Sequence, residues 1–168
     1  YGSDHNNYMG ALAQSNLQHN SWSAFFFYER ILPQAKLAID AGRLPSSCAS
    51  SLERLSAELD SIFGSSTPSL VHGDLWSGNY LCDENDEPVL IDPAVYFGHP
   101  AVDLGLTTLF GGYDRAFYEA YHDVKPFPDN YREQWEICNL YPLLIHLNLF
   151  GSSYLADVLL VLTKYGVR

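Results

Sequence analysis

Residues 72–79 read His-Gly-Asp-Leu-Trp-Ser-Gly-Asn and residues 91–93 read Ile-Asp-Pro. Two carboxylates and an amide therefore lie at the ends of short apolar runs, in loops of the kind that carry sites. The runs Tyr80-Leu81-Cys82 and Val89-Leu90-Ile91 read as the strands of a hairpin, with residues 83–87, all acid or amide, as its solvated tip. The spacing of that tip does not match an EF-hand calcium loop. A hairpin returns the chain to its start, which places Asp92 near Asp74 and Asn79. No Lys or Arg occurs from Leu55 to Asp114, so nothing basic in that stretch relieves the repulsion. At ~4 Å, like charges cost ~4 kcal/mol at an effective dielectric of about 20. A divalent cation reverses that sign, and an all-oxygen donor set suits Mg²⁺. An H-x-D loop with Asn five positions after the Asp, followed by an Asp at a strand end, has a mechanical logic in phosphoryl transfer. Asp74 would orient and deprotonate an acceptor hydroxyl. Asn79 and Asp92 would hold Mg²⁺ against nucleotide phosphates, and His72 would brace the loop without reacting.

The elements that must position these loops are mostly helical. Apolar residues from Trp22 to Leu44 recur at helical spacing, with Ser21 as N-cap, Gly42 as the stop and a bend expected at Pro33. A second helix is expected from Leu52 to Phe63, capped by Ser51 and striped by Leu52, Leu55, Leu59 and Ile62. Strands are expected only between Ser69 and Pro93, beginning with Leu70-Val71. Further helices follow over 101–110, 115–122 behind the cap Asp114, 130–149 and 153–165. The stretch Ile137 to Phe150 is apolar on nearly all sides and should be buried despite Pro142, with His146 and Asn148 as hydrogen-bonded core groups. Trp22 and Trp135 read as packing residues. The first twenty residues, rich in Asn, Ser, Gly and His, show no periodicity and read as an irregular surface segment.

Composition bounds the function. With 168 residues, 47% hydrophobic and 17% charged, the chain suits one domain. Its charge of −11, from nine Lys plus Arg against twenty Asp plus Glu, opposes binding to nucleic acid or to an anionic membrane. Cys48, Cys82 and Cys138 are odd in number and far apart, which fits neither a disulfide framework nor a CxxC zinc site and suits a reducing, cytoplasmic setting. No apolar run approaches the ~20 residues that span a bilayer.

The segments HGDLWSGN at 72–79, IDPAVYFGHPAVDLG at 91–105, LTTLFGGYDRAFYEAY at 106–121 and NLYPLLIHLNLFG at 139–151 resemble the fructosamine kinase, or ketosamine kinase, family. The likeness covers nearly the whole chain. Residues 4–10, with Gln14 and Asn16, are similar to the start of that family's C-terminal lobe. The resemblance implies an α+β, mainly helical fold: the C-terminal lobe of a protein-kinase-like architecture with a small antiparallel β-hairpin region, akin to aminoglycoside and choline phosphotransferases. It implies ATP- and Mg²⁺-dependent phosphorylation of a sugar hydroxyl of ketosamines, whether fructosamine or ribulosamine, on amines or protein lysines. By position, Asp74 matches the catalytic Asp, Asn79 and Asp92 the metal and nucleotide ligands, and His72 the bracing His. Asp103 matches an acid that fastens the catalytic loop through backbone N–H groups. Trp76 could stack on the sugar. Where protein kinases have Asp-Phe-Gly this chain has Asp92-Pro93-Ala94, so no regulatory flip of that motif is implied.

A complete kinase also grips its nucleotide with a glycine-rich strand pair and a strand Lys paired to a helix Glu. None is legible here: Lys36 falls in a helix, Lys125 precedes Pro126, and Lys164 is near the end. The chain starts at Tyr1 and its only Met is Met9. The expectation is one domain over 1–168, the catalytic-loop and substrate lobe, with an N-terminal nucleotide-clamping lobe outside this chain as its partner and little activity without it. The face meeting that lobe should be partly apolar. Two alternatives stay open, a choline- or aminoglycoside-type phosphotransferase and a non-catalytic pseudokinase-like module. A metal phosphoesterase built on His72, Asp74 and Asp92 is weaker, because His99 is the only other His nearby. A serine hydrolase is excluded, since no Gly stands two residues before Ser77.

Overall fold

The Ser21 hydroxyl accepts the Ala24 N–H (3.2 Å) and starts a long helical run in the computed structural model, which describes residues 1–166. The run comprises α1 (Trp22–Phe25), a π-helical turn (Phe26–Ile31) and α2 (Leu32–Asp40). A bend is expected at Pro33; the structure places a wide turn just before it and Pro33 in the first turn of α2. Pro33 has no N–H and its ring crowds the carbonyl four residues back, Glu29 O; the Arg30 guanidinium donates to that oxygen instead (3.1 Å). The next helix, α3 (Cys48–Phe63), begins a turn earlier than expected, so Ser51 lies inside it and caps nothing. Its stripe of Leu52, Leu55, Leu59 and Ile62 is buried as the spacing required.

The first twenty residues are not an irregular surface segment. Strands β1 (Asn7–Met9) and β2 (Leu12–Gln14) form an antiparallel hairpin, Met9, Gln14 and Asn16 are buried, and Gly2 bridges to Phe97. Three-residue strands anchored by buried amides leave no apolar period to read. β3 (Ser69–Val71) pairs with an unexpected strand, β6 (Tyr96–Gly98), while β4 (Tyr80–Cys82) and β5 (Pro88–Leu90) form the expected hairpin. The two hairpin strands are exposed throughout, Leu81 by 43% and Leu90 by 52%, so apolar side chains lie in solvent beside the loops.

α4 (Ala101–Leu109) and α5 (Arg115–Val124) follow, the latter capped by Asp114, whose carboxylate accepts the Phe117 N–H (3.2 Å). The helix expected over 130–149 is two, α6 (Tyr131–Cys138) and α7 (Leu140–Phe150), broken at Asn139. That break places Pro142 in the first turn of α7, where its missing N–H costs nothing. Asn139 donates to Gly105 O (3.0 Å) and so ties α6 to α4. α7 is the central helix, with Leu140, Leu144 and Leu147 fully enclosed, and α8 (Leu155–Tyr165) packs against it and α3. Asn148 is a core group as expected, donating to the backbone and side-chain oxygens of Gln34 (3.0 Å each). All three cysteines are free, and among the described residues no helix is long and apolar enough to cross a membrane.

His99, between β6 and α4, packs against Trp22 and Phe63, and its Nδ1 accepts the Ala101 N–H (3.1 Å). Burial, with a smaller contribution from Lys125, pushes its pKa down to about 4. The unfolded chain then binds this proton more readily, so the stability His99 contributes is complete above pH 6.5 and is lost as pH falls towards 4. Urea unfolding at pH 7.5 and pH 5 should differ by about 2 kcal/mol on this account. His99→Gln should flatten that difference, and an unchanged pH slope in the variant would show that His99 is not its source.

Candidate active site

The loop 72–79 leaves β3 and is clamped from α4. The two carboxylate oxygens of Asp103 accept the His72 and Gly73 N–H groups, at 2.8 Å each. Burial pushes the Asp103 carboxyl above its usual range, and the two N–H groups act against that shift. Gly73 has φ +81°, and a Cβ there would lie 2.3 Å from Ala94 O. Gly73→Ala should therefore cost roughly 3 kcal/mol by combining strain with a backbone clash, read as a lower thermal midpoint; a variant within ~0.5 kcal/mol of the parent would show that the loop can shift.

The loop is closed by its own polar groups. His72 Nδ1 accepts the Asp74 N–H (3.3 Å), so the neutral ring carries its proton on Nε2 and donates it to Ile91 O (3.0 Å). The Ile91 N–H donates to Asn79 O (3.0 Å), extending the β4–β5 ladder by one step. Asn79, buried in a 3₁₀ turn (Ser77–Asn79), donates through Nδ2 to Asp74 O (2.9 Å) and to the Asp74 carboxylate (3.0 Å). One hydrogen-bonded circuit thus joins His72, Asp74, Asn79 and the residue before Asp92.

Asp92 lies exposed at the end of the hairpin with φ +51°, an uncommon conformation for a side-chain-bearing residue. Its charge reaches Asp74. Burial is the main cause that pushes the Asp74 carboxyl above its usual range; Asn79, His72 and His146 oppose the shift and Asp92 adds to it. With Nδ2 of Asn79 spent on Asp74, the Asn79 Oδ1 and the Asp92 carboxylate are left as oxygen donors. That hard-donor set fits Mg²⁺. Among the described residues no group of three His, Cys, Asp or Glu is placed to hold a metal, which leaves any cation here to the amide, one or two carboxylates and its other ligands.

Beside Asp74 opens a cavity of about 390 Å³. Trp76, 38% exposed, stands at its edge with its ring over Gly78 and edge-on to Phe110 (6.0 Å). Phe110, Phe150 and Tyr154 surround His146, with ring centroids 4.9–5.3 Å away. The expectation for His146 holds in part: its Nδ1 bonds Pro142 O (2.7 Å) like a core group, but the ring lines this cavity. An imidazole in a helix whose only other strongly polar side chain is Asn148 was the signal available for it. Phe110, Phe150 and Tyr154 gave none, since aromatic residues on helices read as packing.

The N-terminal segment props the site from behind. Gln14 donates to Ala94 O (3.3 Å) and Asn7 to Val95 O (2.9 Å), while the Ala94 N–H donates to His72 O (2.8 Å).

A sequence model of the fructosamine kinase family matches residues 1–165. The chain belongs to the fructosamine kinase family. Among relatives of this kinase-family chain, a Vibrio vulnificus protein described as a ketoamine kinase is 40% identical over 155 residues, 92% of this chain and 53% of that protein. A chloroplastic protein-ribulosamine 3-kinase of Arabidopsis thaliana is 35% identical over 167 residues, 98% of this chain and 51% of that one. A crystal structure from Thermobifida fusca, described as a fructosamine-3-kinase, superposes with a TM-score of 0.91 at 34% identity, covering 99% of this chain and 58% of that one. The chain spans little more than half the length of these relatives. The mostly helical fold with small antiparallel sheets is thus the one this family shares.

Proposed function

We propose that this chain is the catalytic-loop and substrate lobe of a kinase that transfers the γ-phosphoryl group of ATP to a sugar hydroxyl of a ketosamine, free or on protein lysine. The observation that carries the reading is the circuit of hydrogen bonds that holds His72, Asp74 and Asn79 to the strand end bearing Asp92. The names of the relatives, ketoamine kinase and protein-ribulosamine 3-kinase, support the acceptor class.

In this mechanism the acceptor hydroxyl enters the cavity beside Asp74, with the sugar against Trp76. Its oxygen bonds to the γ-phosphorus as the bond to the β–γ bridging oxygen breaks; ADP leaves, and the proton passes to the Asp74 carboxylate. The raised Asp74 pKa makes it a better proton acceptor than an exposed carboxylate. Asn79 aims that carboxylate, and Asp103 and His72 fix the loop that carries it. Asn79 Oδ1 and Asp92 would hold Mg²⁺, which when bound offsets the charge of the nucleotide phosphates. We place the clamp for the nucleotide in a separate N-terminal lobe, within the additional length that the relatives have. The free cysteines suit a reducing compartment, the cytoplasm in our reading.

Full-length enzyme with ATP, Mg²⁺ and a synthetic ribulosamine should yield one phosphate ester per ketosamine by mass spectrometry, with choline left unreacted. Transfer to choline instead, or to neither, would overturn the assignment. Residues 1–168 alone should turn over far more slowly than the full-length enzyme, and equal rates would refute the dependence on a second lobe.

A further inference from the structure

A second cavity, of about 440 Å³, opens between the loop 64–69, the start of α4 and the segment 125–128. It is built from different residues than the pocket beside Asp74. Although acidic residues outnumber basic ones twenty to nine in the chain, no Asp or Glu lines this cavity. Its polar side chains are cationic or neutral, and each of Lys125, His99 and the Ser and Thr hydroxyls can donate a hydrogen bond. Lys125 has no carboxylate partner among the described residues. His99 uses Nδ1 to accept the Ala101 N–H, so its proton sits on Nε2, for which no described residue acts as acceptor. Ser65, Thr67 and Ser69 line the same space and bring three hydroxyl groups to its rim. Much of the remaining wall is apolar, with Phe63, Phe127 and Trp135 as its aromatic part.

An ammonium, an imidazole N–H and three hydroxyls on residues around one space match the several oxygens of a phosphate monoester better than the two of a carboxylate. The volume exceeds what a bare oxyanion needs and falls in the range of small-molecule sites. The aromatic wall offers apolar surface to whatever the phosphate is attached to. Lys125 also stands near enough to His99 to disfavour a second positive charge there, and an anion between them would remove that repulsion.

We infer that this cleft binds a small organic phosphate, with Lys125 and His99 gripping the phosphate and the aromatic wall covering its carbon body. The test is amide NMR on the full chain without Mg²⁺, titrated with phenyl phosphate and separately with inorganic phosphate. Phenyl phosphate should shift the resonances of Ser65, Thr67, His99 and Lys125 and bind about tenfold more tightly than inorganic phosphate. Lys125→Gln, a change at an exposed side chain, should weaken it about tenfold, while Asp74→Asn should leave it unchanged. Equal affinity for the two probes would overturn the assignment to an organic phosphate. Shifts confined to residues 74–79 and 92, no saturable binding at millimolar concentration, or a Lys125→Gln variant that binds as well as the parent would overturn the site itself.

Discussion

Asp74→Asn in the full-length enzyme should lower kcat by about 10³-fold while leaving the thermal midpoint nearly unchanged, the magnitude general-base catalysis contributes when its group is removed. The change is close to isosteric. The Asn79 Nδ2–H that now bonds the Asp74 carboxylate at 3.0 Å can still find the carbonyl oxygen of an amide, so the circuit that orders the loop persists. What disappears is a group able to take a proton. The pH profile supplies an independent check. Because the base must be ionised to act, the rate of the parent enzyme should fall as pH drops through the Asp74 pKa, and burial places that acid limb above the usual carboxylate range. The residual activity of Asp74→Asn should lack the limb. A variant with parental kcat would mean that Asp74 does not receive the proton, and an unchanged limb would assign it to another group. Asp92→Asn should behave differently: it exchanges a charged cation ligand for a neutral, weaker one and removes one source of repulsion on Asp74, so its loss should depend on Mg²⁺ concentration.

The grouping of His72, Asp74, Asn79 and the strand end at Asp92 was far more legible in the sequence than the elements that support it. His72, Asp74 and Asn79 lie within eight residues, and the apolar pairs around residues 83–87 make a hairpin whose ends must meet, so local spacing sufficed to bring Asp92 to Asn79. Asp103 needed the family resemblance, because an acid in the first turn of a helix has an ordinary explanation in the helix dipole. The missed features share one physical property: they depend on partners distant in sequence. β6 is recognisable only once paired with β3, across the whole hairpin. Gln14 and Asn16 look like surface amides until the Tyr141 hydroxyl, which donates to Gln14 (2.8 Å), and Arg30 are set against them. The break at Asn139 looks like continuous helix until Gly105 O is seen to take its amide. Burial of polar groups leaves no period, so hydrophobic patterning cannot report it.

Arg30 is the extreme case, and its removal should be the most destabilising single change in the chain. Its side chain is fully buried, and among the described residues no carboxylate pairs with it. The guanidinium instead lies over the rings of Tyr96 (4.1 Å to the centroid), Phe25 (4.5 Å) and Tyr141 (5.5 Å). Its N–H groups donate to Asn16 Oδ1 (2.6 Å), Ser15 O and Glu29 O. A point ammonium could not reproduce that fork-and-face geometry. Arg30→Ala would open a cavity and leave three acceptors without their donor, at a cost of about 4 kcal/mol. Arg30→Lys should keep the charge and still lose about 2 kcal/mol, since it forfeits the planar contacts. Urea unfolding measures both. At the low end of the roughly 5–15 kcal/mol by which domains are stable, Ala at position 30 would leave the fold near its threshold. Losses below about 1 kcal/mol would mean that water or a rearranged amide replaces the guanidinium. The consequence should also reach the active site. Arg30 joins Ser15 and Asn16 to Tyr96, and the adjoining Gln14 and Asn7 hold Ala94 and Val95 just beyond Asp92. Activity in Arg30→Lys should therefore fall more than its folded fraction accounts for, with the Mg²⁺ requirement raised, whereas an effect on stability alone would leave activity per folded molecule untouched.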